Sequence, residues 1–203
     1  MTKVKFCGLT RIEDIEAANE LKPDYIGFVF WTKSKRAVTR EKAAALKAQL
    51  DPSVKAAGVF VDEDIEAVKA LLNDGIIDIA QLHGHEDEAY IRSLQARTGK
   101  PVIKAFRADT AGGFTQAEES PADYVLLDAG MGGGVTFDWN LLKNIERPYF
   151  LAGGLHPGNA AEAVRNLHPY AVDVSSGVET GGVKDNAKMA AFISAVRKED
   201  NHD

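Results

Sequence analysis

The chain has a single cysteine among its 203 residues, so it forms no intrachain disulfide, and a reducing compartment is the expectation. Its longest apolar stretch, Tyr25–Trp31, falls far short of the roughly 20 residues a membrane span requires. Met1–Gly8 lack the apolar core of a secretory signal. Basic residues are outnumbered 24 to 30 by acidic ones, and the net charge of −6 argues against a general binder of nucleic acid or anionic membrane. Low-complexity segments, Pro-rich linkers and long charge runs are also missing, so nothing marks a domain boundary. What is present is 45% apolar and 27% charged residues, the balance of a folded domain. A chain of this length buries about 70% of the surface its unfolded form exposes. The expectation is one soluble, cytoplasmic domain over residues 1–203, with a polar tail from about Lys198; monomer and homodimer both fit.

Short β-branched or aromatic runs recur along the chain, each followed by a polar stretch of helical pattern. They are Val4–Cys7, Tyr25–Phe30, Ala56–Val61, Ile76–Leu82, Val102–Phe106, Tyr124–Asp128, Tyr149–Ala152 and Ala171–Ser175. Their centres lie roughly 21–30 residues apart, the chain length a parallel crossover needs. Thr10-Arg11-Ile12-Glu13 has the form of a capping box, and Thr39 precedes an Ala/Leu/Lys-rich stretch suited to a helix. Asp62, His85 and Asp185 are expected at the starts of the third, fourth and eighth helices, and Pro157 in the first turn of the seventh. Thr115–Glu119 and Asp138–Asn144 are short, so the helices after strands five and six are expected to be short. Eight such units predict an α/β fold, a single-domain (β/α)8 TIM barrel, with an open doubly wound sheet as the alternative.

In such a barrel the active site lies where the strands end. Strand alternation turns Val4, Phe6, Ala80, Leu82, Val125, Leu127, Val172 and Val174 toward the helices. The same rule turns Lys5, Cys7, Gln81, His83, Leu126, Asp128, Asp173 and Ser175 toward the axis. Four strands thereby deliver polar groups to one mouth. His83-Gly84-His85, with Asp87 nearby, has the residue types of a metal site. A catalytic metal takes three protein ligands, however, and no second His or Cys cluster supplies them, so no metal is expected.

The loops after strands seven and eight, Gly153-Gly154-Leu155 and Ser175-Ser176-Gly177, carry glycines that let backbone N–H groups approach an anion, which points to a phosphorylated small molecule. The one basic cluster, Lys33–Arg36, follows strand two; the planar fork of Arg36 suits a carboxylate. Gly130–Gly134 reads as a lid or a bed for a flat ligand. On these features alone, an enzyme acting on a phosphorylated small molecule and a non-catalytic phosphate binder both remain open.

The strings Lys5–Arg11 (K-F-C-G-L-T-R), Ile26–Phe30 (I-G-F-V-F), Gln81–Gly84 (Q-L-H-G), Leu126–Ala129 (L-L-D-A), Phe137–Trp139 (F-D-W), Leu151–Leu155 (L-A-G-G-L) and Asp173–Glu179 (D-V-S-S-G-V-E), with Lys184-Asp185, resemble the phosphoribosylanthranilate isomerase family. The likeness runs from Lys3 to about Phe192. Departures are Lys35 and Gly181, where the family usually has Pro, and Gly133, where it usually has Thr. The resemblance implies a cofactor-free Amadori rearrangement, with Cys7 as general base and Asp128 as general acid. It further implies that Arg36 holds the anthranilate carboxylate, that Gly154, Leu155, Asn159, Ser175, Ser176 and Gly177 hold the phosphate, and that Gln81, His83 and Asp173 line the pocket. Those roles require a protonated Asp128 and a Cys7 thiolate, the latter favoured by Lys5 and by the N-terminus of the helix beginning near Thr10.

Overall fold

The structure, a computed structural model, describes residues 1–108, 112–128 and 145–200. Gly130–Gly134, Phe137–Trp139 and the short helix expected over Asp138–Asn144 lie outside the described residues.

Eight parallel strands close into a barrel: β1 (Lys3–Cys7), β2 (Tyr25–Val29), β3 (Lys55–Phe60), β4 (Ile79–Leu82), β5 (Val102–Arg107), β6 (Tyr124–Asp128), β7 (Tyr149–Ala152) and β8 (Ala171–Val174). Each strand pairs with the next, and β8 returns to β1 with Lys5 opposite Asp173. The described helices are α1 (Ile12–Leu21), α2 (Arg40–Lys47), α3 (Ile65–Asn73), α4 (Glu88–Thr98), α5 (Gly113–Glu119), α6 (Ala160–Leu167) and α7 (Asn186–Asp200). As expected, the helix after the fifth strand is short. Lys198–Asp200 form the last turn of α7, and a two-stranded hairpin, β9 (Glu179–Thr180) and β10 (Val183–Lys184), stands between β8 and α7.

Local chemistry explains where the helices start. Thr39 Oγ1 accepts from Lys42 N at the head of α2, and Asp185 Oδ1 from Lys188 N at the head of α7. Three expectations shift by one to two residues. The first capping box is built by Arg11 and Asp14, one residue on from the expected pattern. Asp64 caps α3 and Asp87 caps α4, in place of Asp62 and His85, which instead bond to each other across their loops. Pro157 lies in a turn ahead of α6, where Ala160 N reaches His156 O. Ile76 and Ile77 precede β4 as a turn, their N–H groups bonded to Leu71 O, although both side chains remain in the core.

Alternation sorts the side chains as the sequence predicts. Val4, Phe6, Ala80, Leu82, Val125, Leu127, Val172 and Val174 join the layer between strands and helices. The axis is filled separately by Tyr25, Ala57, Ile79, Ile103, Leu126 and Phe150, with Tyr25 and Phe150 ring centroids 5.4 Å apart at the end where strands begin. This largely apolar plug fills the axis at the end opposite the C-terminal mouth.

Candidate active site

At that mouth a cleft of about 270 Å³ opens over a small apolar floor of Cys7, Val29 and Val59. Eleven of the twelve expected site residues line it: Cys7, Arg36, Gln81, His83, Asp128, Gly154, Leu155, Asp173, Ser175, Ser176 and Gly177. Asn159 does not. It braces the β7 loop from behind, donating from Nδ2 to Gly154 O (3.1 Å) and accepting at Oδ1 from His156 N (2.8 Å). Gly153 and Gly154 both adopt positive φ (92° and 65°), which turns their backbone sharply at the cleft wall. Gly177 packs so closely on that loop that a Cβ there would lie 1.9 Å from Leu155 O. The β7 and β8 loops therefore form one continuous wall.

Beside Cys7 the barrel buries charge. Lys5, 0% exposed, donates to Asp173 Oδ1 at 3.0 Å. The Ser175 hydroxyl donates to Cys7 O, fastening β8 to β1. Burial pushes the Cys7 thiol above its ordinary range, with Asp173 adding to the rise and Lys5 and Lys184 opposing it. Burial thus favours the neutral thiol, against the pull of the two lysines toward the thiolate. The head of α1 does not assist, because the buried Asp14 carboxylate already caps the N–H groups of Thr10 and Arg11.

Asp128 ends β6 with 34% of its side chain exposed to the mouth, 3.8 Å from His83 Nε2. Burial holds the His83 pKa below its ordinary value despite Asp128 and Asp173 nearby, so the imidazole is neutral at pH 7. Gln81 Nε2 lies 3.4 Å from His83 Nδ1. The loop carrying His83 is fixed by a pair that sequence reasoning missed: Lys104 Nζ meets Gly84 O at 2.6 Å and Glu86 Oε2 at 2.8 Å. His85 is 95% exposed and points away from this cleft, toward Asp62. No group of three or more His, Cys, Asp or Glu suited to a metal occurs among the described residues.

Arg36 reaches the cleft with two of its donors already engaged. Its Nε and Nη2 bind Glu179 Oε1 and Oε2 at 2.6 and 2.8 Å. Lys184 Nζ joins the same carboxylate at 2.8 Å and also meets Ser175 O at 2.9 Å. Lys35, where the family has Pro, stands 3.9 Å from it. In the sequence Glu179 and Lys184 carry no role beyond their places in D-V-S-S-G-V-E and Lys184-Asp185. The available signal was E-T-G-G-V-K, a two-glycine hairpin whose register sets Lys184 across from Glu179.

The family model for N-(5'-phosphoribosyl)anthranilate (PRA) isomerase matches residues 4–195. The N-(5'-phosphoribosyl)anthranilate isomerase of Endomicrobium trichonymphae is 45% identical over 202 residues, covering 97% of this chain and 99% of that protein. The phosphoribosyl anthranilate isomerase from Thermotoga maritima superposes with a TM-score of 0.87 at 36% identity, over 98% of this chain and 100% of that one. A phosphoribosyl anthranilate isomerase in complex with reduced 1-(o-carboxyphenylamino)-1-deoxyribulose 5-phosphate gives 0.86 at 36%, with the same coverage.

Proposed function

The chain belongs to the N-(5'-phosphoribosyl)anthranilate isomerase family, whose reaction in tryptophan biosynthesis it catalyses, and we propose that it does so without a cofactor, by general acid and base catalysis at Asp128 and Cys7. The observation that carries this reading is that both groups line one cleft, at the C-terminal ends of β6 and β1, beside a glycine-turned anion wall.

The substrate's C1′ bears both the anilino nitrogen and the furanose ring oxygen. Asp128, open to the cleft, gives its proton to that oxygen, and the ring opens to an iminium. The positive nitrogen acidifies the C2′ proton, which the Cys7 thiolate removes; the C–H electron pair forms C1′=C2′ and the C=N pair returns to nitrogen. The enolamine then loses its hydroxyl proton and gains one at C1′, giving the ketone. Lys5 and Lys184 favour the thiolate, and the developing iminium charge adds to them. Each positioned acid or base contributes on the order of 10²–10⁴ in rate.

The wall of Gly154, Leu155, Ser175, Ser176 and Gly177 suits the 5′-phosphate, with Asn159 holding its geometry from behind. Arg36, anchored by Glu179, presents its remaining donors to the anthranilate carboxylate. His83 and Asp173 complete the pocket. The whole chain works as one domain, and a reducing cytoplasm suits an enzyme whose one cysteine is its base; no helix among the described residues is long and apolar enough to cross a membrane. Replacing Cys7→Ser and Asp128→Asn tests the assignment. Each variant is expected to keep its fold by circular dichroism and to lose nearly all turnover of freshly generated phosphoribosylanthranilate, followed by loss of its fluorescence. Near-wild-type turnover in either variant refutes the role assigned there.

A further inference from the structure

Gln81, the third residue of β4, is 1% exposed, and its Oε1 is buried with no hydrogen-bond partner among the described residues. Its donor end lies beside His83 Nδ1, and Gln81 is one of the residues lining the cleft, so the acceptor without a partner belongs to the cleft wall. Buried carbonyl oxygens are rarely left without a partner, and an orphan at a binding site asks what donates to it. Gln81 sits level with Val59 in the β3–β4 register, and Val59 packs with Cys7 and Val29 in the floor. Gln81 therefore borders the patch that holds the proposed base.

We infer that Gln81 Oε1 receives the hydroxyl on the substrate carbon that gives up its proton to Cys7, an inference that rests on the isomerase mechanism above. That hydroxyl changes through the reaction in a way a fixed acceptor can exploit. On the sp³ carbon it is an ordinary donor. When the C2′ proton leaves, it becomes an enol hydroxyl, more acidic and a stronger donor, so the hydrogen bond tightens along the reaction. The amide takes no proton: the hydroxyl keeps its hydrogen until the enolamine tautomerises, when the oxygen loses it and C1′ gains one. The product ketone then faces Gln81 with an acceptor against an acceptor, which favours release. The other end of the amide donates to His83 Nδ1, leaving the His83 proton on Nε2, the nitrogen facing Asp128.

The test compares wild type, Gln81→Met and Gln81→Glu by kcat and KM, by thermal unfolding, and by calorimetric binding of two probes: the ketone product and its reduced form, which bears a hydroxyl at the same carbon. Wild type is expected to prefer the hydroxyl probe. Gln81→Met keeps the shape without the acceptor, and is expected to lose about tenfold of that preference and at least as much in kcat/KM. It is also expected to unfold no earlier than wild type, since an unpartnered buried oxygen has been removed. Gln81→Glu retains an acceptor and is expected to retain the preference. A Met variant that binds both probes with wild-type selectivity, or one that loses stability while the selectivity persists, overturns the inference. If wild type binds both probes but fails to turn over the substrate, the isomerase reading falls instead, so the two failures are distinguishable.

Discussion

Glu179→Gln strips the carboxylate from the charge cluster beside the cleft and leaves the side-chain volume intact. The carboxylate is 6% exposed and receives two donors from Arg36 and one from Lys184. Burial alone would raise its pKa. The hydrogen bonds from Arg36 and Lys184 win, and hold it at about 2, against an ordinary 4.5. At about 1.4 kcal/mol per pH unit, that drop corresponds to about 3 kcal/mol of stability. A second route agrees: removing one partner from a buried ion pair costs about 3–5 kcal/mol, because the other charge is left uncompensated. For a domain of this size each kcal/mol shifts Tm by about 2–4 °C, so the variant is expected to melt roughly 6–12 °C below wild type at pH 7.

The pH dependence carries the sharper test. A carboxylate with a depressed folded pKa stabilises fully above its unfolded pKa and loses that contribution as pH falls through the folded value. The gap between wild type and Glu179→Gln should accordingly be constant from about pH 5 through neutrality and close between 4.5 and about 2. At the alkaline end a second group acts. Burial already lowers the Lys184 pKa, with Glu179 opposing that fall. Without Glu179 the lysine folds neutral more easily, so the variant regains stability as pH rises toward 10.5. Thermal melts followed by circular dichroism from pH 2 to 10 read both limbs. A gap that is the same at pH 2.5 and pH 7 refutes the assignment of the stability to this carboxylate.

Three further outcomes are expected. Because burial raises the Cys7 thiol above 9.0, kcat/KM should still be climbing past pH 9, and a base limb that levels off at pH 7 removes Cys7 as the free enzyme's base. Lys5→Met leaves Asp173 buried without its partner and should cost about 3–5 kcal/mol in urea unfolding, with Lys5→Met/Asp173→Asn recovering part of the loss; equal stability of the single and double variants contradicts the pairing. Gly177→Ala drives a methyl into Leu155 O and should raise KM for the phosphorylated substrate, with a smaller effect on affinity for a dephosphorylated analogue; equal effects on both separate this contact from the phosphate.

Much of the site was legible because strand alternation is a strict rule. Once Val4 and Phe6 are taken as facing the helices, Lys5 and Cys7 must face the axis, and the same logic brings Gln81, Asp128 and Asp173 to the mouth. Caps were read less well. Asp62 and Asp64 are both acids ahead of an apolar helix, and only the loop geometry sends Asp62 to His85 and Asp64 to the helix. The apolar Ile76–Ile77 read as strand because burial, which the pattern reports, does not distinguish a turn packed on the core from a strand within it.

The thiol and Arg36 show where a linear reading stops. Lys5 is two residues from Cys7, so the cation that favours a thiolate was visible. The burial that outweighs it is a property of the closed barrel and of no local segment. Arg36 looked like a free fork because its partner Glu179 lies 143 residues along the chain, brought across by the closure of β8 on β1 and the hairpin that follows. Closure therefore acts on both groups at once: it buries Cys7, and it ties Arg36 to a lysine that touches the same charge field. Substitutions in the hairpin should then move Arg36 and Cys7 together. Lys184→Met removes one of the two cations opposing the rise of the thiol pKa and one of the donors on Glu179. It is expected to raise KM and to push the alkaline limb of kcat/KM higher in the same variant. A change in KM with an unmoved pH profile would show that the hairpin serves Arg36 alone.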